Sequence, residues 1–302
     1  MAEDPPRAAV TQRAVQAVRD RAPEGVEVVV LEDGIDLERV DFLVPNHDPG
    51  VREALPLLTR LSAVQLLSAG ADGWEELVPA QATLCSARGA RDGPVAEWVL
   101  GALLGASTGL LECARERVWN RDRRLHDLGG WTVLIVGLGS IGRLVQTRLQ
   151  ALGTTVVGVA SHAREGVRGI DELPELLAEA DAVVLLTPLT EATHHLIGAT
   201  ELAAMPDGAL LVNAARGPVI DTDALLAEVA GPRLRAVLDV TDPEPLPDDH
   251  PLWRAPGVLS VTPHIGGDSP LGWQRACALA ADQLARWRAG EELLNVVRRG
   301  SG

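Results

Sequence analysis

The chain of 302 residues contains no lysine and no tyrosine. Without lysine there is no Schiff-base chemistry, and without tyrosine there is no phenolic acid. All 27 basic residues are arginines, outnumbered by 42 acidic ones for a net charge of −15. Nothing basic tracks phosphates, which argues against nucleic acid or an anionic membrane as partner. Cysteine is scarce. Cys85, Cys113 and Cys277 are scattered and lack any metal-ligand or C-x-x-C spacing, so free thiols in a reducing compartment are expected and no metal site is. The longest apolar stretch, Trp98 to Leu111, is too short for a bilayer and is broken by Gly101, Gly105 and Gly109. The acidic, proline-bearing start is unlike a signal peptide, and a cytoplasmic location is expected.

What is present is 46% hydrophobic and 23% charged, the proportions of an ordinary globular protein with room for two domains. The organising stretch is Trp131 to Gly142, WTVLIVGLGSIG. Val133–Val136 reads as a buried strand. It runs into Gly137-Leu138-Gly139-Ser140-Ile141-Gly142, a G-x-G-x-x-G sequence, and then into a helix over Arg143–Leu152. In this order the glycines have separate uses. Gly137 permits the tight turn, Gly139 lets backbone approach a pyrophosphate, and Gly142 lets helix and strand pack closely. The helix N-terminus then offers unpaired N–H groups to the phosphates. A second strand at Thr155–Ala160 completes a βαβ unit, which points to dinucleotide binding.

The tip of that second strand carries Ser161-His162-Ala163-Arg164 and no carboxylate. An NAD site wants Asp or Glu there to accept from the ribose 2′-hydroxyl. Ser161 and Arg164 suit a 2′-phosphate instead, with His162 in the same loop, although Glu165 adds contrary charge. NADP is favoured, with NAD the alternative.

Along the rest of the chain strands and helical segments alternate. A helix is expected around Ala9–Arg19, and strands at Val26–Leu31, Phe42–Val44, Ala63–Leu67 and Thr83–Cys85. A turn is expected over 45–50 and a glycine loop over 68–73. A long helix opening at Pro94 leads to the second domain, whose strands end at Leu186, Asn213, Asp239 and Thr262. A last helix, Arg275–Trp287, returns to the first. The expected fold class is therefore α/β, with two Rossmann-like or flavodoxin-like domains built on parallel doubly wound sheets. The cofactor domain, 94–269, is inserted into a substrate domain made of 1–93 and 270–302.

Ligands of such sheets bind outside the carboxyl ends of the strands. Those tips carry Arg216, then Asp239 and Glu244, then His264. An arginine, a carboxylate and a histidine are the groups needed to reduce a 2-oxo acid. Arg pairs with the substrate carboxylate and polarises the neighbouring carbonyl, His⁺ gives a proton, and the carboxylate orients the imidazole. Taken singly, each has a structural reading as well: Arg216 capping a turn, Glu244 a solvated acid, His264 a core histidine. His47, His126, His194, His195 and His250 are assigned structural roles.

Five segments together give the resemblance: GLGSIG at 137–142, TPLTEATHHLI at 187–197, NAARGPVIDTDAL at 213–225, DVTDPEPLP at 239–247 and TPHIGG at 262–267. In them the chain resembles the D-isomer-specific 2-hydroxyacid dehydrogenases. The resemblance implies Arg216 as substrate-binding arginine, Glu244 and His264 as acid/base pair, and Asp239 on the nicotinamide carboxamide. It implies that Thr187, Pro188, Thr193, Ala214, Gly266 and Gly267 line the cofactor. It also implies that the Ala69 and Gly70 N–H groups take the substrate carboxylate, with substrate held between domains in a homodimer paired through the cofactor domain. The expected activity is reduction of a small 2-oxo acid of the glyoxylate or hydroxypyruvate kind to the D-hydroxy acid.

Two departures stand out. The acidic ribose residue is replaced by Ser161, and Trp273 stands where many relatives carry an arginine; if it lines the substrate site, the substrate's far end is apolar. A chain ending at Gly302 is expected to lack the regulatory domain of some phosphoglycerate dehydrogenases. The alternatives are a nucleotide-sensing corepressor-like protein and phosphite or formate oxidation. A formate enzyme of this fold is expected to carry Gln where Glu244 stands.

Overall fold

The structure, a computed structural model, describes residues 5–31, 36–45, 49–116, 119 and 125–301. The chain forms two compact units: Met1–Arg91 with Asp268–Gly302, and Asp92–Gly267 between them in sequence.

In the first unit the strands are β1 (Arg7–Val10), β2 (Glu27–Val30), β3 (Val40–Val44), β4 (Ala63–Gln65) and β5 (Thr83–Cys85), with α1 (Val15–Arg19) and α2 (Pro49–Ala54) among them. The second unit runs α3 (Asp92–Ser107), α4 (Leu110–Glu116), β6 (Thr132–Val136), α5 (Ser140–Ala151), β7 (Thr155–Ala160), β8 (Arg168–Gly169) and α6 (Leu173–Leu177). It continues through β9 (Ala182–Leu185), α7 (Ala199–Ala204), β10 (Leu210–Asn213), α8 (Thr222–Val229), β11 (Arg235–Leu238) and β12 (Val258–Val261). The chain then re-enters the first unit with α9 (Pro270–Ala289) and β13 (Val296–Arg298).

The first sheet has the order β13-β5-β4-β3-β1-β2. Its first five strands in sequence thus lie 2-1-3-4-5, a flavodoxin-like winding with the switch point between β1 and β3. The second sheet, β12-β11-β10-β9-β6-β7-β8, is parallel throughout and reverses direction between β6 and β9, the Rossmann arrangement. Both are doubly wound. Along β6, Leu134 and Val136 pack into one hydrophobic cluster while Val133 and Ile135 pack into another on the opposite face. That two-sided burial explains why the strand reads as an unbroken apolar run.

Three local expectations are corrected. The helix expected from Ala9 begins only at Val15, because Arg7–Val10 pairs in parallel with both β2 and β3. Ala8, Ala9 and Val10 are wholly buried there, and this burial overrides alanine's helical preference. The first sheet is also not purely parallel, since β13 joins β5 antiparallel. Finally, α9 starts at Pro270, five residues ahead of the expected Arg275, capped by the Ser269 hydroxyl accepting from Gly272 N–H at 3.0 Å. Of the expected 45–50 turn, residues 46–48, including His47, lie outside the described residues.

Of the three thiols, Cys85 and Cys277 are buried and Cys113 is exposed. Burial pushes the Cys85 thiol up to about 11, against a hydrogen bond with Gln283. Thiolate is the reactive form. A thiol reagent at pH 8 is therefore expected to label Cys113 quickly and the other two only after denaturation. Fast labelling of three thiols in the native protein would contradict this burial.

No single helix among the described residues is long and apolar enough to cross a membrane, and no group of His, Cys, Asp or Glu there could hold a metal ion.

Candidate active site

The glycine turn follows β6 at the switch point. Gly137 has φ +103°, and a Cβ there would come within 2.7 Å of the Leu186–Thr187 backbone at the tip of β9. This position needs glycine twice, for its dihedral and for the close approach of the neighbouring strand. A Cβ on Gly142 would lie 2.5 Å from the Gly137 carbonyl oxygen, so α5 can sit against β6 only without one. Gly139 is different. A Cβ there would meet nothing within 4 Å, and the residue caps α5 with no side chain accepting from the first-turn N–H groups. Open space before unpaired helix N–H groups suits a pyrophosphate. Within the motif, Leu138 is buried and packs on Gly158, whereas Ser140 is exposed and Ile141 half-buried.

Beyond β7, Ser161, His162 and Arg164 are all exposed. The Ser161 hydroxyl lies 3.1 Å from His162 Nδ1, and the Arg164 guanidinium donates to the Leu138 carbonyl at 3.2 Å. A hydroxyl and a guanidinium thus flank the glycine turn at the tip of the second strand. At the tip of β9, the Thr187 hydroxyl is buried without a hydrogen-bond partner, an orphaned group beside the same turn. These features fit a dinucleotide: an open cradle, a free helix start and an unsatisfied buried hydroxyl. Thr193 is less available, since its hydroxyl donates to Pro188 O at 2.7 Å and accepts from Thr190 N–H at 2.8 Å, closing the loop on which Pro188 sits exposed.

The tips of β10, β11 and β12 are neighbours in one parallel sheet, so Arg216, Asp239, Glu244 and His264 all lie at its carboxyl edge. Buried Asn213 shapes the first tip: its amide donates to Arg216 O at 3.0 Å and its oxygen accepts from Ala215 N–H at 3.0 Å. Half-buried Ala214 donates its N–H to Leu185 O at 3.2 Å, and the Arg216 side chain donates to Ala215 O at 2.6 Å.

His264 and Glu244 form a direct pair, with Nδ1 2.6 Å from Oε1 and both side chains nearly half exposed. A carboxylate only accepts, so the proton in this bond belongs to Nδ1, and Nε2 faces away from Glu244. His264 is held at φ +54°, a left-handed conformation that costs a non-glycine residue about 1–3 kcal/mol. Asp239 supplies the restraint. Its backbone oxygen accepts from His264 N–H at 2.8 Å, and its buried carboxylate accepts from the Ile265 and Gly266 N–H groups, each at 2.9 Å. The same carboxylate accepts from the Thr262 hydroxyl at 2.6 Å, and Thr262 in turn accepts from the Trp98 indole N–H at 3.1 Å. Three of roughly four acceptor positions on Asp239 are therefore taken, leaving one for a further donor. Gly266 must be glycine, because a Cβ would press on Asp239 Oδ2 and Trp98; Gly267 ends the unit. Thr262 and Trp98 escape notice in the sequence, where nothing marks a hydroxyl and an indole 164 positions apart as partners.

In the first unit, the Ser68 hydroxyl donates to Gly70 O at 2.7 Å, shaping the turn that carries Ala69 and Gly70. Trp273 is half-buried against the cluster of Val10, Ala276 and Cys277. The Arg13 and Arg91 guanidiniums lie 4.3 and 5.8 Å from its ring centroid, so the indole meets cations as well as that apolar cluster.

Residues 101–266 match the model of the D-isomer specific 2-hydroxyacid dehydrogenase NAD binding domain. The chain is 30% identical over 301 residues to a glyoxylate reductase of Korarchaeum cryptofilum, covering 93% of this chain and 88% of that one. Among solved structures it resembles a D-isomer specific 2-hydroxyacid dehydrogenase from Xanthobacter autotrophicus in complex with NADPH and MES, with TM-score 0.84 and 28% identity over 97% of this chain and 98% of that one. An NADPH-dependent glyoxylate/hydroxypyruvate reductase from Sinorhizobium meliloti, in complex with NADP and sulfate, aligns with TM-score 0.82 and 27% identity, covering 97% and 98% of the two chains. The D-3-phosphoglycerate dehydrogenases it also matches are longer, and the matched part spans about 40% of the one from Methanocaldococcus jannaschii. With its domain model, its full-length relatives and its strand-tip residues in agreement, the chain belongs to the D-isomer specific 2-hydroxyacid dehydrogenase family.

Proposed function

We propose that this protein reduces a small 2-oxo acid of the glyoxylate or hydroxypyruvate kind to the D-2-hydroxy acid, with NADPH preferred over NADH. The observation that carries the reading is the Glu244–His264 pair at the strand edge, its imidazole half exposed and its outer nitrogen available. The bound nicotinamide supplies the hydride. His264 protonates the carbonyl oxygen through Nε2, and Glu244 holds the imidazole by Nδ1. Arg216 is assigned to substrate binding in the second unit, and the Ala69 and Gly70 N–H groups to substrate binding in the first. Asp239 accepts from the carboxamide on its remaining acceptor position while it holds the His264 turn.

The cofactor preference rests on Ser161, His162 and Arg164 at the tip of β7, a four-residue stretch without Asp or Glu. Two relatives whose structures carry NADPH or NADP support it. A panel of 2-oxo acids assayed with NADPH and NADH is expected to give at least about tenfold higher kcat/KM with NADPH, the worth of one charge-assisted bond. Replacement Arg164→Leu should erase that ratio. A wild-type enzyme that prefers NADH would overturn the assignment.

A homodimer paired through the second unit completes the proposal. Leu104, Leu110, Trp119 and Leu125 leave apolar surface exposed there. Light scattering should give twice the 31.9 kDa mass of one chain, and a monomer would refute it.

A further inference from the structure

The carboxyl edge of the first sheet carries a second cluster of charge. Arg13 follows β1, one of the two strands at that sheet's switch point, and Arg91 follows β5. Both guanidiniums close on the Trp273 indole, at 4.3 and 5.8 Å from its centroid. The loop bearing Arg91 is tied to the Ser68–Asp72 loop by Ala87 N–H donating to Ser68 O at 2.7 Å. One sheet edge therefore gathers Ala69, Gly70 and the two arginines, and that edge is where sheets of this winding bind ligands.

The cations are poorly matched by the protein itself. Arg13 finds no hydrogen-bond acceptor among the described residues. Arg91 buries its Nε without one, and the carboxylate it approaches, Asp268, stands at 4.0 Å, beyond a hydrogen bond. A guanidinium has five donors, and two held beside one indole repel each other unless an anion joins them. Cation–π contact with the ring attracts both but satisfies none of their N–H groups. Both charges also act on the buried Cys277 thiol, which burial raises and the two arginines pull back down.

We propose that Arg13 and Arg91, on the floor of the Trp273 indole, bind a second anionic group at the far end of the substrate, making the preferred substrate a 2-oxo acid with a distal carboxylate, sulfonate or phosphate. This rests on the reaction proposed above and keeps its chemistry, but replaces a glyoxylate-like substrate with a longer one that carries a second anion. The near carboxylate is held by the Ala69 and Gly70 N–H groups of the same sheet edge. The distal anion accepts from the two guanidiniums. Trp273 then fixes the direction of both cations through its ring, which replaces the apolar far end expected from the sequence.

Binding and turnover test this separately. With saturating NADP⁺, calorimetric titration should show succinate binding at least about tenfold tighter than butyrate of the same chain length, the worth of one charge-assisted bond. Arg13→Gln and Arg91→Gln should each remove most of that advantage. In assays, the ratio of kcat/KM for oxaloacetate, 3-sulfopyruvate or 3-phosphooxypyruvate over that for 2-oxobutyrate should exceed ten, and should fall about tenfold in each variant through KM. The three diacids distinguish carboxylate, sulfonate and phosphate as the preferred anion. If monoacids turn over and diacids gain nothing in binding or rate, the anion site is refuted and the reaction stands. If no 2-oxo acid turns over but succinate still outbinds butyrate in an arginine-dependent way, the reaction is refuted and the anion site stands.

Discussion

Replacing His264 by alanine is expected to lower kcat by about a thousandfold, within the range set by loss of a positioned general acid, while the Kd for NADPH stays within about twofold of wild type. The separation follows from where the groups sit. The glycine turn, the α5 N-terminus and the 161–164 loop lie at the tips of β6 and β7, and His264 follows β12 at the far end of the same sheet. Removing the imidazole deletes the proposed proton donor without disturbing the turn, because the backbone at 264–266 is held by Asp239. Alanine keeps that N–H, although it inherits the φ of +54°, so the variant's melting temperature must be measured beside its activity. Glu244→Gln should act more mildly and differently. It preserves an acceptor for the Nδ1 hydrogen bond but removes that acceptor's charge, which weakens the hold on the imidazole. Turnover in reduction should therefore be partly retained, well above that of His264→Ala. Undiminished turnover in His264→Ala would reject the role given to it.

Some parts of the candidate site are legible in the sequence and others are not. GLGSIG was legible because strand, turn and helix demands coincide within twelve residues, and each glycine answers a different one: dihedral and approach at Gly137, open space at Gly139, helix packing at Gly142. The tips of β10, β11 and β12 were legible because parallel strands must present their carboxyl ends on one side. The first strand was not, because Ala8-Ala9-Val10 has helical composition and becomes a strand only between two partners far along the chain. The restraint on His264 was equally hidden. Asp239, which the resemblance places on the nicotinamide carboxamide, also holds the 262–266 turn, 23 to 27 residues further along the sequence. Trp273 was readable as an oddity but not as a ring between two arginines, since Arg13, Arg91 and Trp273 come together only when β1, β5 and α9 assemble.

The Gly217→Ala variant should lose stability by about 3 kcal/mol, the upper part of the range for overpacking, and kcat/KM by at least about a hundredfold, the cost of misplacing a reacting group by about an ångström. A Cβ on Gly217 would run into the Thr241 carbonyl, and both elements are backbone. Neither side yields easily. Thr241 is buried with its hydroxyl donating to Pro243 O at 2.9 Å, and Thr222 holds Asp242 O at 2.9 Å. On the other side, Arg216 O accepts from the Asn213 amide and from Val219 N–H. Relief must therefore move either the turn bearing Arg216 or the 241–244 segment bearing Glu244, and each motion spoils the geometry on which substrate binding and the imidazole depend. Cofactor affinity should change little, because the glycine turn belongs to β6. Gly231→Ala is the control: a Cβ there meets nothing within 4 Å, so stability and kcat/KM should stay near wild type. Should Gly217→Ala match that control, the close apposition of the Arg216 turn with the Thr241 backbone could not be what positions the two catalytic elements.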